Sequence, residues 1–139
     1  MSFHIDLNTC YHGAQLDPHV TAKNFCDLYY GTIMTKGFCR VSYLFDASAH
    51  CNYNGAEYIG LHNVLIAMAN EGIMKLMHDR LTYSTSVIDN NTLIVQVTGL
   101  CQGITFWNLT TSVYQFAETF ALKYVNGSIF VSNYLFKLV

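Results

Sequence analysis

Charge is what this chain has least of. Seven Lys or Arg and nine Asp or Glu make up 12% of 139 residues, about half the share usual in soluble domains. So few charges leave apolar surface exposed on an isolated chain, which points to self-association or a protein partner. The cations are scattered and the formal net charge is −2, so the basic footprint of a nucleic-acid binder is missing. No apolar run reaches the roughly 20 residues of a membrane span. The opening text MSFHIDLNTCYHG has neither a basic n-region nor an apolar h-region, so no secretory signal is expected and the expected location is the cytoplasm, the nucleus or both. Proline occurs once and tryptophan once. The five cysteines are odd in number and form no CxxC pair, which reads as reduced core thiols. The histidines show no HxxxH or HxH spacing, so no metal site and no cofactor are expected. GLCQG lacks the GK[ST] ending of a phosphate loop.

Hydrophobic residues, by contrast, make up 52% of the chain and aromatic residues 14%. Their order carries most of the information. Asp17-Pro18 is a helix start, with Asp as N-cap and Pro in the first turn. Val20, Phe25, Leu28 and Tyr29 then share a helical stripe to about Gly31. A second short helix is expected over Phe38–Phe45. Asn54-Gly55 marks a hairpin turn, and Gly60 opens a third helix to about Asn70, with Leu61, Val64, Leu65 and Met68 on one face. Long strand-like runs follow: about Lys75–Ile88, Thr92–Gln102, Thr111–Lys123 and Ser128–Val139. Turn signals at Asp89-Asn90-Asn91 and Asn126-Gly127 separate them. Three sequons, at Asn90, Asn108 and Asn126, read as turn chemistry. Residues 1–17 read as a partly mobile lead and residues 18–139 as one domain. Helices first and a meander last is an α+β plan, with helices packed on one face of a bent antiparallel sheet.

Five texts within this order resemble the nuclear transport factor 2-like family: FCDLYYGTI (Phe25–Ile33), YNGAEYIGLHNVL (Tyr53–Leu65), LIVQVTGL (Leu93–Leu100), FAETFAL (Phe116–Leu122) and FVSNYLFKL (Phe130–Leu138). The resemblance implies a cone of three N-terminal helices on a strongly bent sheet. VQVTGL and FAETFAL are most similar to the N-terminal domain of Rasputin-type, Ras-GAP-binding stress-granule scaffolds. That likeness implies a non-enzymatic homodimer that recognises short Phe-containing motifs of nucleoporins, stress-granule or transport proteins. Its peptide pocket falls, position by position, on Phe25, Leu28, Leu44 and Phe136, with an early aliphatic at Val20 or Thr21. Phe25 and Phe136 are expected to flank one apolar groove. The strands Thr92–Gln102, Thr111–Lys123 and Ser128–Phe136 are expected to supply the dimer face. Ran-GDP recognition is not expected, because Asn54 and the acid-free loop Gly103–Asn108 stand where the family's transport factor has carboxylates.

Two other readings come with the same fold. One is a heterodimer partner of an mRNA export receptor. The other is a cavity enzyme of the ketosteroid isomerase or dehydratase type, which needs a carboxylate base and a phenol or second acid as oxyanion donor. Tyr29, Tyr30, Asp46, His50, His78 and Asp79 are its candidates. His78 and Asp79 adjoin on a strand, so only one of them points inward. No carboxylate is assigned to the inward face, and the enzyme reading ranks second for that reason.

Overall fold

The structure is a computed structural model and describes residues 11–12 and 15–139. The expected lead lies outside the described residues at 1–10, 13 and 14; Tyr11–His12 pairs antiparallel with Gln15–Leu16. Helix α1 is Pro18–Lys36, begun by Asp17, whose carboxylate accepts from the backbone N–H of His19 and Val20 at 3.0 and 3.1 Å. It runs past Gly31, a glycine with open space around it, and stops at Gly37, whose φ of 91° favours glycine. The short helix expected over Phe38–Phe45 is a 3-10 helix, Phe38–Leu44; Phe38, Val41 and Leu44 recur every three residues and are its buried side chains. Helix α2 is Leu61–Asn70. Its N-cap Gly60 has φ 80°, and a Cβ there would sit 2.8 Å from the Ala47 carbonyl.

The strands are β1 (Phe45–Tyr53), β2 (Ala56–Ile59), β3 (Ile73–Asp89), β4 (Thr92–Thr105), β5 (Thr110–Val125) and β6 (Ser128–Leu138). They form one sheet in the order β2-β1-β6-β5-β4-β3. Every neighbouring pair is antiparallel except β1 with β6, which run parallel (Cys51 opposite Tyr134, Tyr53 opposite Phe136). The sheet is therefore mixed rather than wholly antiparallel. The chain leaves β1 through the β2 hairpin, crosses over by α2, enters the meander at the far edge and returns beside β1 in the same direction. Asn54-Gly55 and Asn126-Gly127 both turn with two positive φ values, the geometry a two-residue hairpin requires. Asn108 also has positive φ, at 60°.

The bend has a local cause. Between the pairs Asp79–Leu100 and Thr82–Thr98, Arg80 and Leu81 together face Gly99. Arg80 takes φ 53°, held by a 2.8 Å hydrogen bond from its N–H to the Asp79 carboxylate. A Cβ on Gly99 would lie 2.9 Å from the Asp79 carbonyl and 3.2 Å from that of Arg80. This β-bulge raises the twist and folds the sheet around α1. On the concave side, Leu93, Val95, Val97 and Cys101 of β4 meet Phe116, Phe120 and Leu122 of β5, and α1 brings Phe25, Tyr29 and Ile33 onto them. Phe120 packs edge-on against both Phe25 and Tyr29, each 4.8 Å away between ring centres.

Candidate functional site

Among the described residues, one carboxylate enters this interior. Glu118 lies on β5, at an inward position of the alternation Phe116, Glu118, Phe120, Leu122, with no exposed surface. Its register partners are Val97 on β4 and Phe136 on β6. Three phenols converge on it. Tyr30 donates to Oε1 at 2.6 Å, Tyr29 donates to Oε2 at 3.4 Å, and Tyr134 donates to Oε2 as well. The tyrosines come from adjacent positions on α1 and from β6, and their rings are at most 4% exposed. Tyr29 and Tyr30 stand edge-to-face, 4.9 Å apart. Burial drives the Glu118 carboxyl up to about 7, with the hydroxyls of Tyr134, Tyr30 and Tyr29 pulling back. Burial, then the Glu118 charge, holds all three phenols well above their ordinary range. A carboxyl poised near neutrality beside phenols is suited to proton transfer. Here it is sealed from solvent.

His78, on β3, points into the same interior and Asp79 points out, as strand alternation requires. The imidazole is 8% exposed and rests edge-on against Tyr30 at 4.9 Å and Phe116 at 5.4 Å. Neither ring nitrogen has a hydrogen-bond partner. Burial lowers it to about 4, so the ring is neutral. The buried thiols are equally inert: burial pushes Cys26 to about 12 and Cys51 and Cys101 to about 11.

The sequence reading assigns no carboxylate to the inward face; the structure places Glu118 there. Asp79 is exposed and caps Arg80, and Asp46 accepts from Ser48; the inward acid is Glu118. The sequence signal was present, since an acid in the middle of a period-2 apolar run is inward by the same parity as its neighbours. Of the enzyme candidates, Tyr29, Tyr30 and His78 are brought together, while Asp46, His50 and Asp79 lie outside. Of the peptide-pocket residues, Phe25 and Leu44 are wholly buried, Phe136 is 3% exposed, and Val20 and Leu28 are half-buried against the core. Phe25 stacks with Tyr29 and meets Phe120 edge-on, and Phe136 stacks with Tyr53 and Phe116. Among the described residues, no group of three His, Cys, Asp or Glu could hold a metal ion, and no helix is long and apolar enough to cross a membrane.

The outer face of the sheet carries a groove of about 590 Å³ whose lining includes Tyr58, Ile94, Thr119, Ala121, Asn133 and Leu135. Leu135 there is 44% exposed.

No protein-family model matches the chain, and no curated protein does. Solved structures do. Nuclear transport factor 2 of Cryptosporidium parvum is 20% identical, with 90% of this chain and 97% of that one covered and a TM-score of 0.69. A scytalone dehydratase-like protein of Novosphingobium aromaticivorans is 8% identical over 84% and 80%, with a TM-score of 0.66. The hexachlorocyclohexane dehydrochlorinase LinA-type3 of Novosphingobium barchaimii is 15% identical over 85% and 84%, with a TM-score of 0.65. The fold is the nuclear transport factor 2-like fold, shared by transport factors and enzymes.

Proposed function

We propose that this chain is a non-enzymatic, self-associating protein-binding module. The observation that carries the reading is the sealed interior. Among the described residues the one inward carboxylate has no exposed surface, and three phenols occupy its oxygens, so no substrate reaches it without opening the core. The outer face supports the other half of the reading, since Ile94, Ala121 and Leu135, with the polar Glu57, Thr119 and Asn133, line a groove of mixed character where a second copy would pack. The likeness to the Cryptosporidium transport factor and the Rasputin-type texts FAETFAL and VQVTGL support a role in nucleocytoplasmic transport or stress-granule assembly, in the cytoplasm or nucleus. The ligands in this reading are short Phe-containing motifs. In this reading the motifs meet the accessible parts of Val20 and Leu28, since Phe25, Leu44 and Phe136 are buried. Ran-GDP is not a partner in this reading, because Asn54 and Gly103–Asn108 offer it no carboxylate. The test is mass in solution. Light scattering at micromolar concentration is expected to give twice the 15.7 kDa of the chain, and a Leu135→Lys variant should return it to a single copy. A wild-type mass of 15.7 kDa overturns the homodimer and leaves a heterodimer partner as the assembly to seek.

The Glu118 cluster favours the second reading, a cavity enzyme of isomerase or dehydratase type. Its test is turnover of a ketosteroid or a dehydratable alcohol. Turnover abolished in Glu118→Gln would establish it, and the first reading expects none.

A further inference from the structure

A third region serves neither the interior cluster nor the outer sheet face. The last turn of α1, the 3-10 helix, α2 and the start of β3 enclose a groove of about 520 Å³. Phe38, Leu65, Met68, Ile73, Met74 and Phe106 make it largely apolar. Lys36 and Lys75 also line it, and no Asp or Glu does. Neither lysine is in an ion pair: among the described residues the only pair is Lys23–Asp27. Glu71, at the end of α2, does not line the groove; burial, together with its charge, raises the Tyr53 phenol. Of the lining, Met74 is 44% and Phe106 54% exposed, and Trp107, next in sequence to Phe106, is 74% exposed outside it.

Each feature narrows the occupant. The volume suits one or two bulky side chains. Two methionines let the lining repack around more than one anchor shape. Two unpaired cations and no acid favour a negatively charged partner, because opposite charge steers encounter and like charge is penalised. Exposed aromatic surface past the edge calls for an occupant longer than the groove itself. We infer that this groove docks a short peptide segment with a bulky apolar anchor flanked by carboxylates. The anchor fills the space between Met68 and Phe106, and the carboxylates meet Lys36 and Lys75. The inference rests on the protein-binding reading, and adds to it a second surface and the charge of its partner.

Trp107 reports on this site. It is the only tryptophan, it follows Phe106 of the lining, and its ring lies against Gly72. The probe is a synthetic peptide with a Leu-Phe core and two Glu on each side, titrated by Trp107 fluorescence and by calorimetry; its twin carries Lys in place of Glu. The acidic peptide is expected to bind about tenfold or more tightly than the twin at low salt, with the gap closing at about 0.5 M NaCl. Lys36→Glu with Lys75→Glu should invert the preference. Ala69→Trp, at an exposed position of the lining, should abolish binding; should that variant misfold by circular dichroism, the charge inversion decides. Equal affinity for the two peptides, or no binding of either at millimolar concentration, overturns the inference. Tighter binding of dodecanoate than of the peptide overturns it in favour of a small amphipathic acid. Binding that survives both Ala69→Trp and charge reversal overturns the groove assignment while the protein-binding reading stands. A monomeric mass counts against self-association alone.

Discussion

Glu118 and His78 occupy the same interior, on inward positions of long strands, and both are more than nine-tenths buried. Around Glu118 the fold has gathered three hydroxyl donors from two elements. Around His78 it has placed only the faces and edges of Tyr30 and Phe116, and both nitrogens go without a partner. Desolvation pushes both groups toward neutrality, the acid up and the base down. What differs is the cost of that neutrality. A carboxyl serving three phenols satisfies four buried groups at once. An orphaned imidazole leaves its own polar atoms unmet, at about 1–3 kcal/mol for a buried unsatisfied group. Removing each side chain should therefore have opposite consequences.

Glu118→Leu should have the largest effect. It strands three hydroxyls in a sealed interior, for an expected loss on the order of 3–5 kcal/mol in urea unfolding. A loss below about 1 kcal/mol would mean that water or a rearranged phenol reaches the site, and would erase the contrast with His78.

The pH dependence comes next, and its signs can be worked out. The Glu118 pKa is raised on folding, from 4.5 to about 7. Its contribution to stability is full below 4.5 and is lost as pH rises toward 7. The His78 pKa is lowered, from 6.5 to about 4. Its contribution is full above 6.5 and is lost as pH falls toward 4. Each span corresponds to about 3 kcal/mol, and the two oppose each other where they overlap. The wild-type unfolding midpoint should thus be nearly flat between about pH 4.5 and 6.5. Glu118→Gln should uncover the histidine slope, with stability falling as the solution is acidified. His78→Phe should uncover the glutamate slope, with stability falling toward neutrality. Parallel slopes in the two variants would refute the opposition.

Single hydroxyl deletions sharpen the picture around the carboxyl. Tyr30→Phe, which removes the 2.6 Å bond, should cost about 1–2 kcal/mol. Tyr29→Phe, at 3.4 Å, should cost less, about 0.5 kcal/mol. The order of their melting temperatures is the readout, and a reversed order would mean that the longer contact is the stronger one. The smallest change is expected from His78→Phe. It keeps the edge-on ring contacts and removes the orphaned nitrogens, so at pH 7 it should be neutral or stabilising by up to about 1 kcal/mol. A clear destabilisation would reveal a polar partner for the imidazole.

Helices and strands were legible wherever the cause was local. Asp17-Pro18, Asn54-Gly55, Gly60 and Asn126-Gly127 mark boundaries because each supplies a cap or a positive φ that the backbone needs there. The continuation of α1 past Gly31 was not legible, because the packing of Ile33 overrides a weak breaker. Nor was the parallel pairing of β1 with β6, because it joins residues about 80 positions apart in sequence. The interior cluster was half legible. Parity places His78 or Asp79 inside, and the same parity along Phe116, Glu118 and Phe120 places Glu118 inside. That three tyrosines would meet on Glu118 depends on how α1 sits in the bend, which is set by Gly99 and the bulge opposite it.

The position of β6 in the sheet has a consequence for how the molecule is made. Ser128–Leu138 is inserted between β1 and β5, so everything translated earlier waits for it. Until it emerges from the ribosome, the β1–β2 hairpin and the β3–β5 meander are two fragments with raw edges, and Glu118 lacks the phenol of Tyr134. Such long-range closure is slow and leaves the nascent chain open to chaperones. It also makes the fold a check on its own synthesis, since a product truncated before Tyr134 can neither close the sheet between β1 and β5 nor give Glu118 its third phenol.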